Sequence, residues 1–145
     1  MTHPLTIFLA EDNPGDVFLV NQALLEQGFE YRLIVAEDGL SARLLLERFG
    51  EDLPCPDLLL MDLNLPKTEG WELVRLFREH PVCATVPLIV ISSSRGPKDR
   101  LWAAEAGVQH YFRKPSELEE FMKLGPIVGD LMASERKRKQ TIESV

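Results

Sequence analysis

The stretch PDLLLMDLNLPKTEG, residues 56–70, decides how the chain folds. Leu58, Leu59, Leu60 and Met61 form an unbroken apolar run, long enough for a strand buried on both faces and too short for a helix. It delivers Asp62 at its end and breaks at Asn64 and Pro66. A carboxylate at the tip of a buried strand is costly unless something compensates it. Either the strand ends there in water, or Asp62 is held there for chemistry.

Four further apolar runs flank this one: LTIFLA from Leu5, YRLIVA from Tyr31, PLIVIS from Pro87 and HYFR from His110. Between the runs, apolar residues recur at three or four positions, as in Val17, Val20 and Leu24 or Leu73, Val74 and Phe77. Strands alternating with helices of about 10 to 15 residues predict right-handed crossovers and a parallel sheet covered on both faces. The runs from Leu5, Asp57 and Pro87 are apolar through their centres and read as inner strands, whereas Arg32 in one run and His110 and Arg113 in another mark edges. The expectation is a doubly wound α/β fold, five parallel strands in the order 2-1-3-4-5.

Punctuation supports these boundaries. Asn13 followed by Pro14 reads as an N-cap with proline at the first helical position, and Gly28 as the end of that helix. Ser116-Glu117-Leu118-Glu119 matches a capping box opening the last helix, while Pro81 and Gly107 close the third and fourth. Residues 1–133 read as one domain and 134–145 as a polar tail with no output domain. The basic cluster Arg136 to Lys139 in that tail reads as a fraying helix end, its cations near the negative pole, in preference to a nucleic-acid or partner contact.

The chain has 145 residues, enough to bury about two-thirds of the unfolded surface in a single core. With 45% hydrophobic and 27% charged residues it has an ordinary globular composition, and its net charge of -7 argues against general nucleic-acid binding. Cys55 and Cys83 are too few and too far apart for a metal cluster, and no secretory signal points to an oxidising compartment, so both read as reduced thiols. No apolar run approaches the ~20 residues that span a bilayer, and the cytoplasm is the expected location.

In an open parallel sheet, functional groups gather at the carboxyl ends of the strands where the order reverses. Strand one ends in Glu11-Asp12 and strand three in Asp62, so three carboxylates are expected to converge. They would repel one another unless a cation offsets them, and oxygen-only ligands suit Mg²⁺, with the Asn64 backbone carbonyl as a further donor. Strand four ends at Ser92 and strand five at Lys114-Pro115. Ser92 read alone is a turn residue and Lys114 a counter-charge, but carboxylate, cation, hydroxyl and ammonium together describe a phosphoryl site.

With these acids, hydroxyl and lysine in this order and spacing, the chain resembles a response-regulator receiver domain of two-component signalling over about residues 5–130. The opening AEDNPGDVFLVNQAL is similar to the single-domain regulators that partner bacterial phytochromes. The resemblance implies that Asp62 is the phosphoacceptor, taking its phosphoryl group from a sensor histidine kinase or a histidine phosphotransfer protein. It implies Mg²⁺ held by Asp12, Asp62 and Asn64, with Glu11 acting through water and standing where an aspartate is common. It also implies catalytic roles for Ser92 and Lys114 and a switch formed by Ser92 and Tyr111, the latter otherwise an ordinary edge-strand aromatic. Asn64, Ser93 and Ser94 lie where the family tunes dephosphorylation. Phosphorylation would then rearrange the surface of helix four, strand five and helix five, carrying Trp102, Tyr111 and Phe121, for a partner or a homodimer. Nucleic acid and membrane are not expected partners, and the chain is expected to be a signalling protein more than an enzyme. A haloacid-dehalogenase-type phosphatase wants a second aspartate at position 64, which is Asn; a flavodoxin-like cofactor binder wants a Ser/Thr/Gly-rich loop where AEDNPGD stands. A phosphorylation-independent interaction module is the further alternative.

Overall fold

The computed structural model describes residues 4–66, 70–93 and 97–143. Its strands are β1 (Leu5–Ala10), β2 (Tyr31–Ala36), β3 (Leu58–Asp62), β4 (Leu88–Ser92) and β5 (His110–Arg113). Its helices are α1 (Pro14–Leu25), α2 (Gly39–Arg48), α3 (Gly70–Arg78), α4 (Pro97–Glu105), α5 (Leu118–Phe121) and α6 (Leu124–Glu143). The sheet is parallel and ordered β2-β1-β3-β4-β5, as the apolar runs predict.

Side chains alternate across a strand, so each inner strand feeds two cores. Phe8, Leu59, Met61, Leu88 and Val90 face one way and pack with Ala42 and Leu46 of α2 and Leu73, Val74 and Phe77 of α3. Ile7, Leu9, Leu58, Leu60, Ile89 and Ile91 face the other way, against Val20 and Leu24 of α1, Phe121 of α5 and Leu124 and Val128 of α6. Every residue of β3 and β4 is buried. That is why these two runs carry no alternation in sequence: both faces are covered.

Local chemistry sets the ends. Asn13 caps α1, its side chain accepting from the Gly15 and Asp16 amides with Pro14 at the first turn. α3 approaches the end of β3 so closely that a Cβ on Gly70 would stand 2.5 Å from the Leu63 Cα. The Arg78 guanidinium, half-buried, donates to the carbonyls of Ala84, Val86, Ala106 and Gly107 and to the Gln109 side chain, tying the end of α3 to the starts of β4 and β5. No helix among the described residues is long and apolar enough to cross a membrane.

Four local expectations are corrected. Ser116 does not cap the last helix: Glu117 is the N-cap of α5 and makes no side-chain capping bond. The last helix is split, α5 ending at Phe121 and α6 beginning at Leu124. Instead of fraying, α6 runs through the polar tail to Glu143 and has no basic residue in its last turn; Arg138 pairs with Glu135 one turn earlier. Cys55 and Cys83 are not free thiols but form a disulfide. They lie 28 residues apart in sequence, yet the segment entering β3 and the turn leaving α3 meet at the same end of the sheet, with the Cα atoms 5.6 Å apart. In the chain-entropy account a bridge of this span stabilises by about 3 kcal/mol. Thermal unfolding with and without dithiothreitol is therefore expected to show a clearly lower midpoint in the reduced protein, and Cys55→Ser with Cys83→Ser to match the reduced wild type.

Candidate functional site

Parallel register brings the site together. Ala10 pairs with Met61 and Asp62 with Ile91, so Glu11 and Ser92, each one residue beyond its partner strand's match, arrive beside Asp62 at the carboxyl edge. Backbone bonds extend the ladder past the strands: the Glu11 amide donates to the Ala36 carbonyl at 3.0 Å and the Lys114 amide to the Ser92 carbonyl at 2.8 Å. The loop after β3 is anchored as well, the Gly39 amide donating to the Pro66 carbonyl.

Glu11, Asp62 and Ser92 are the buried polar side chains of the described core. Asp12 is exposed, and Glu11, Asp12 and Asp62 each present one carboxylate oxygen within 4.8 Å of the others. Asp62 is oriented from both sides: Oδ1 accepts from the Asn64 amide at 2.9 Å and Oδ2 from the Lys114 ammonium at 2.9 Å. Lys114 also meets Glu11 Oε1 at 2.7 Å and Asp16 Oδ2 at 2.8 Å. The Glu11 contact is an ion pair by distance without hydrogen-bond geometry, which leaves that buried oxygen without a hydrogen-bond partner.

Burial, and after it the neighbouring Asp62, push the Glu11 carboxyl from 4.5 up to about 8 against the opposing pull of Lys114. Burial works against the Lys114 ammonium too, but the carboxylates of Asp16, Glu11 and Asp62 around it outweigh it and raise its pKa. One ammonium thus stands against four carboxylates, and the excess of negative charge calls for a second cation. The residues fit one: three converging carboxylates, one with an unsatisfied buried oxygen, form an all-oxygen donor set suited to Mg²⁺ or Mn²⁺.

Glu11, Asp12, Asp62, Asn64, Ser92 and Lys114 all stand at this edge. Ser92 is fully buried at the end of β4, and the Asn64 side chain reaches the Ser93 hydroxyl at 3.5 Å. Tyr111 sits half-buried in β5 with the Arg100 guanidinium 5.3 Å from its ring centre. Ser94 lies outside the described residues. Phe121 is corrected: it is buried against Phe112 and belongs to the core, whereas Trp102 is exposed and packs edge-on against Trp71. Asp16 is the residue that sequence reading missed. Its signal was its place in the first turn of α1, one helical turn beyond Asp12 and facing the strand ends.

A doubly wound sheet carrying a strand-end aspartate, an acid cluster and a lysine at its carboxyl edge defines a receiver-like class of α/β domains. The chain belongs to the response regulator receiver domain family, whose profile matches residues 7–124. It is 33% identical over 123 residues to the response regulator Rcp1 of Synechocystis sp., covering 83% of this chain and 84% of that one. The structure is similar to the phosphorylated cyanobacterial phytochrome response regulator RcpA, with a TM-score of 0.82 at 29% identity over 92% of this chain and 96% of that one. It is also similar to the Mn²⁺-bound form of Rcp1, with a TM-score of 0.77 at 33% identity over 84% and 89%.

Because Lys114 is the counter-charge for buried carboxylates, Lys114→Met is expected to destabilise the fold by about 2 kcal/mol or more in urea unfolding without divalent cations. Millimolar Mg²⁺ is expected to restore part of that loss, which unfolding titrations at a series of Mg²⁺ concentrations will measure.

Proposed function

We propose that the chain is a single-domain response regulator, with residues 1–133 as its receiver unit, that accepts a phosphoryl group on Asp62 from the phosphohistidine of a sensor histidine kinase or phosphotransfer protein. The observation that carries this reading is Asp62 itself: a nearly buried carboxylate held between a backbone amide and the Lys114 ammonium, beside two further acids. An Asp62 oxygen attacks phosphorus, the oxygen–phosphorus bond forms, the phosphorus–nitrogen bond breaks, and its electron pair returns to the imidazole. Asp12, Asp62 and the Asn64 carbonyl, with Glu11 through water, would hold Mg²⁺, which would supply charge neutralisation at the transferring group. Lys114 pairs with the phosphoryl oxygens and the Ser92 hydroxyl donates to them, while Tyr111 turns inward as Ser92 moves.

The output is a population shift of the surface formed by α4, β5 and the split last helix, α5 with α6, where Trp102 is exposed and Tyr111 half-buried. The likeness to phytochrome and bacteriophytochrome response regulators supports a bacteriophytochrome kinase as the donor, and the place we assign to the reaction is the cytoplasm. The partner classes are proteins and a second copy of this chain, not nucleic acid or membrane.

Acetyl phosphate with Mg²⁺ is expected to add a single phosphoryl group by intact mass to the wild type and none to Asp62→Asn; an equal gain on both would sink the assignment. Beryllofluoride is expected to shift sedimentation toward a dimer. A monomer under both conditions would remove the dimer through α4, β5 and the split last helix, α5 with α6.

A further inference from the structure

An ammonium has three N–H donors, and three carboxylates surround that of Lys114: Glu11 at 2.7 Å, Asp16 at 2.8 Å and Asp62 at 2.9 Å. Two of these acids stand at strand ends and belong to the acid cluster. Asp16 does not: it comes from the first turn of α1 and is outside the set of converging acids formed by Glu11, Asp12 and Asp62. We infer that Asp16 is a positioning residue which competes with a phosphoryl group on Asp62 for the Lys114 ammonium, and so sets how tightly the activated state is held. This rests on the reading of Asp62 as phosphoacceptor.

A phosphoryl group on Asp62 removes that carboxylate's own charge and presents new anionic oxygens to Lys114, which must then share the ammonium with the Glu11 and Asp16 carboxylates. The Glu11 side chain is 0% exposed and cannot retreat into water. The Asp16 side chain is 22% exposed and borders an open cavity shared with Ser93, Lys114 and Glu117, so its carboxylate rehydrates on release. Until it yields, it occupies a donor and adds one more negative charge facing an incoming anion. Asp16 also stabilises the positive end of α1, a separate effect that does not involve Lys114. The two roles have opposite signs. Loss of the helix contribution lowers stability, whereas loss of the competition tightens binding of a phosphoryl mimic.

The test is calorimetric titration of the full chain with beryllofluoride in the presence of Mg²⁺, with thermal midpoints recorded for each variant. Asp16→Asn is expected to bind about fivefold tighter than wild type, the size of a partly exposed ion pair, while melting no higher. Asp16→Ser, which keeps a good residue for a helix start, is expected to show the same gain. Asp16→Glu retains the charge and is expected to return binding to the wild-type value. Neutral variants that bind with wild-type or weaker affinity overturn the inference while leaving the phosphoacceptor reading intact. A wild type that binds no beryllofluoride overturns both.

Discussion

Everything at the carboxyl edge of the sheet depends on one ammonium set among carboxylates that the chain supplies from β1, α1 and β3. Lys114 is 14% exposed at its side chain and pairs with Glu11, Asp16 and Asp62, residues as far as 103 positions away in sequence. Without it, buried carboxylates would face one another with no compensation, and the sheet order would bring repulsion to the point where its connections reverse. With it, negative charge is still in excess, which is the state a divalent cation completes.

The fold's other devices serve to hold that edge in place. Both faces of β3 and β4 are sealed, one by α2 and α3 and the other by α1, α5 and α6, which fixes where these strands deliver their ends. Gly70 lets α3 approach the backbone just past Asp62, and the Asn64 amide fixes one Asp62 oxygen. At the opposite end, Arg78 binds the turns entering β4 and β5, and the Cys55–Cys83 bridge joins the entry to β3 with the exit from α3. Rigidity is thus concentrated in β3 and β4. The surface of α4 and β5 is held by lighter contacts, the Trp71–Trp102 pair, a Trp71–Asp99 hydrogen bond and Arg100 over Tyr111.

The sheet order was legible because burial leaves a direct mark on composition: runs closed to water on both faces are continuously apolar, and edges carry charge. Asp62, Glu11, Asp12, Ser92 and Lys114 were legible for a related reason, since each follows a recognisable strand and strand ends converge by topology. Asp16 was not, because a helix-start aspartate has an adequate local explanation and its partner is 98 residues distant. The disulfide was hidden likewise by its 28-residue separation. Ser116 and Phe121 misled for different reasons: a local pattern suggested a cap at Ser116 and the family resemblance suggested a surface aromatic at Phe121, but the turn into α6 and packing against Phe112 prevailed.

By itself, then, the sequence determined the strand count, the parallel topology and the residues that reach the carboxyl edge of the sheet, all consequences of hydrophobic periodicity and chain connectivity. Only the tertiary structure decided which charges share the ammonium, that the two sulfurs meet, and that α6 continues as a helix through the polar tail. Those outcomes depend on distances between segments remote along the chain, and such distances are set by how helices pack on the sheet.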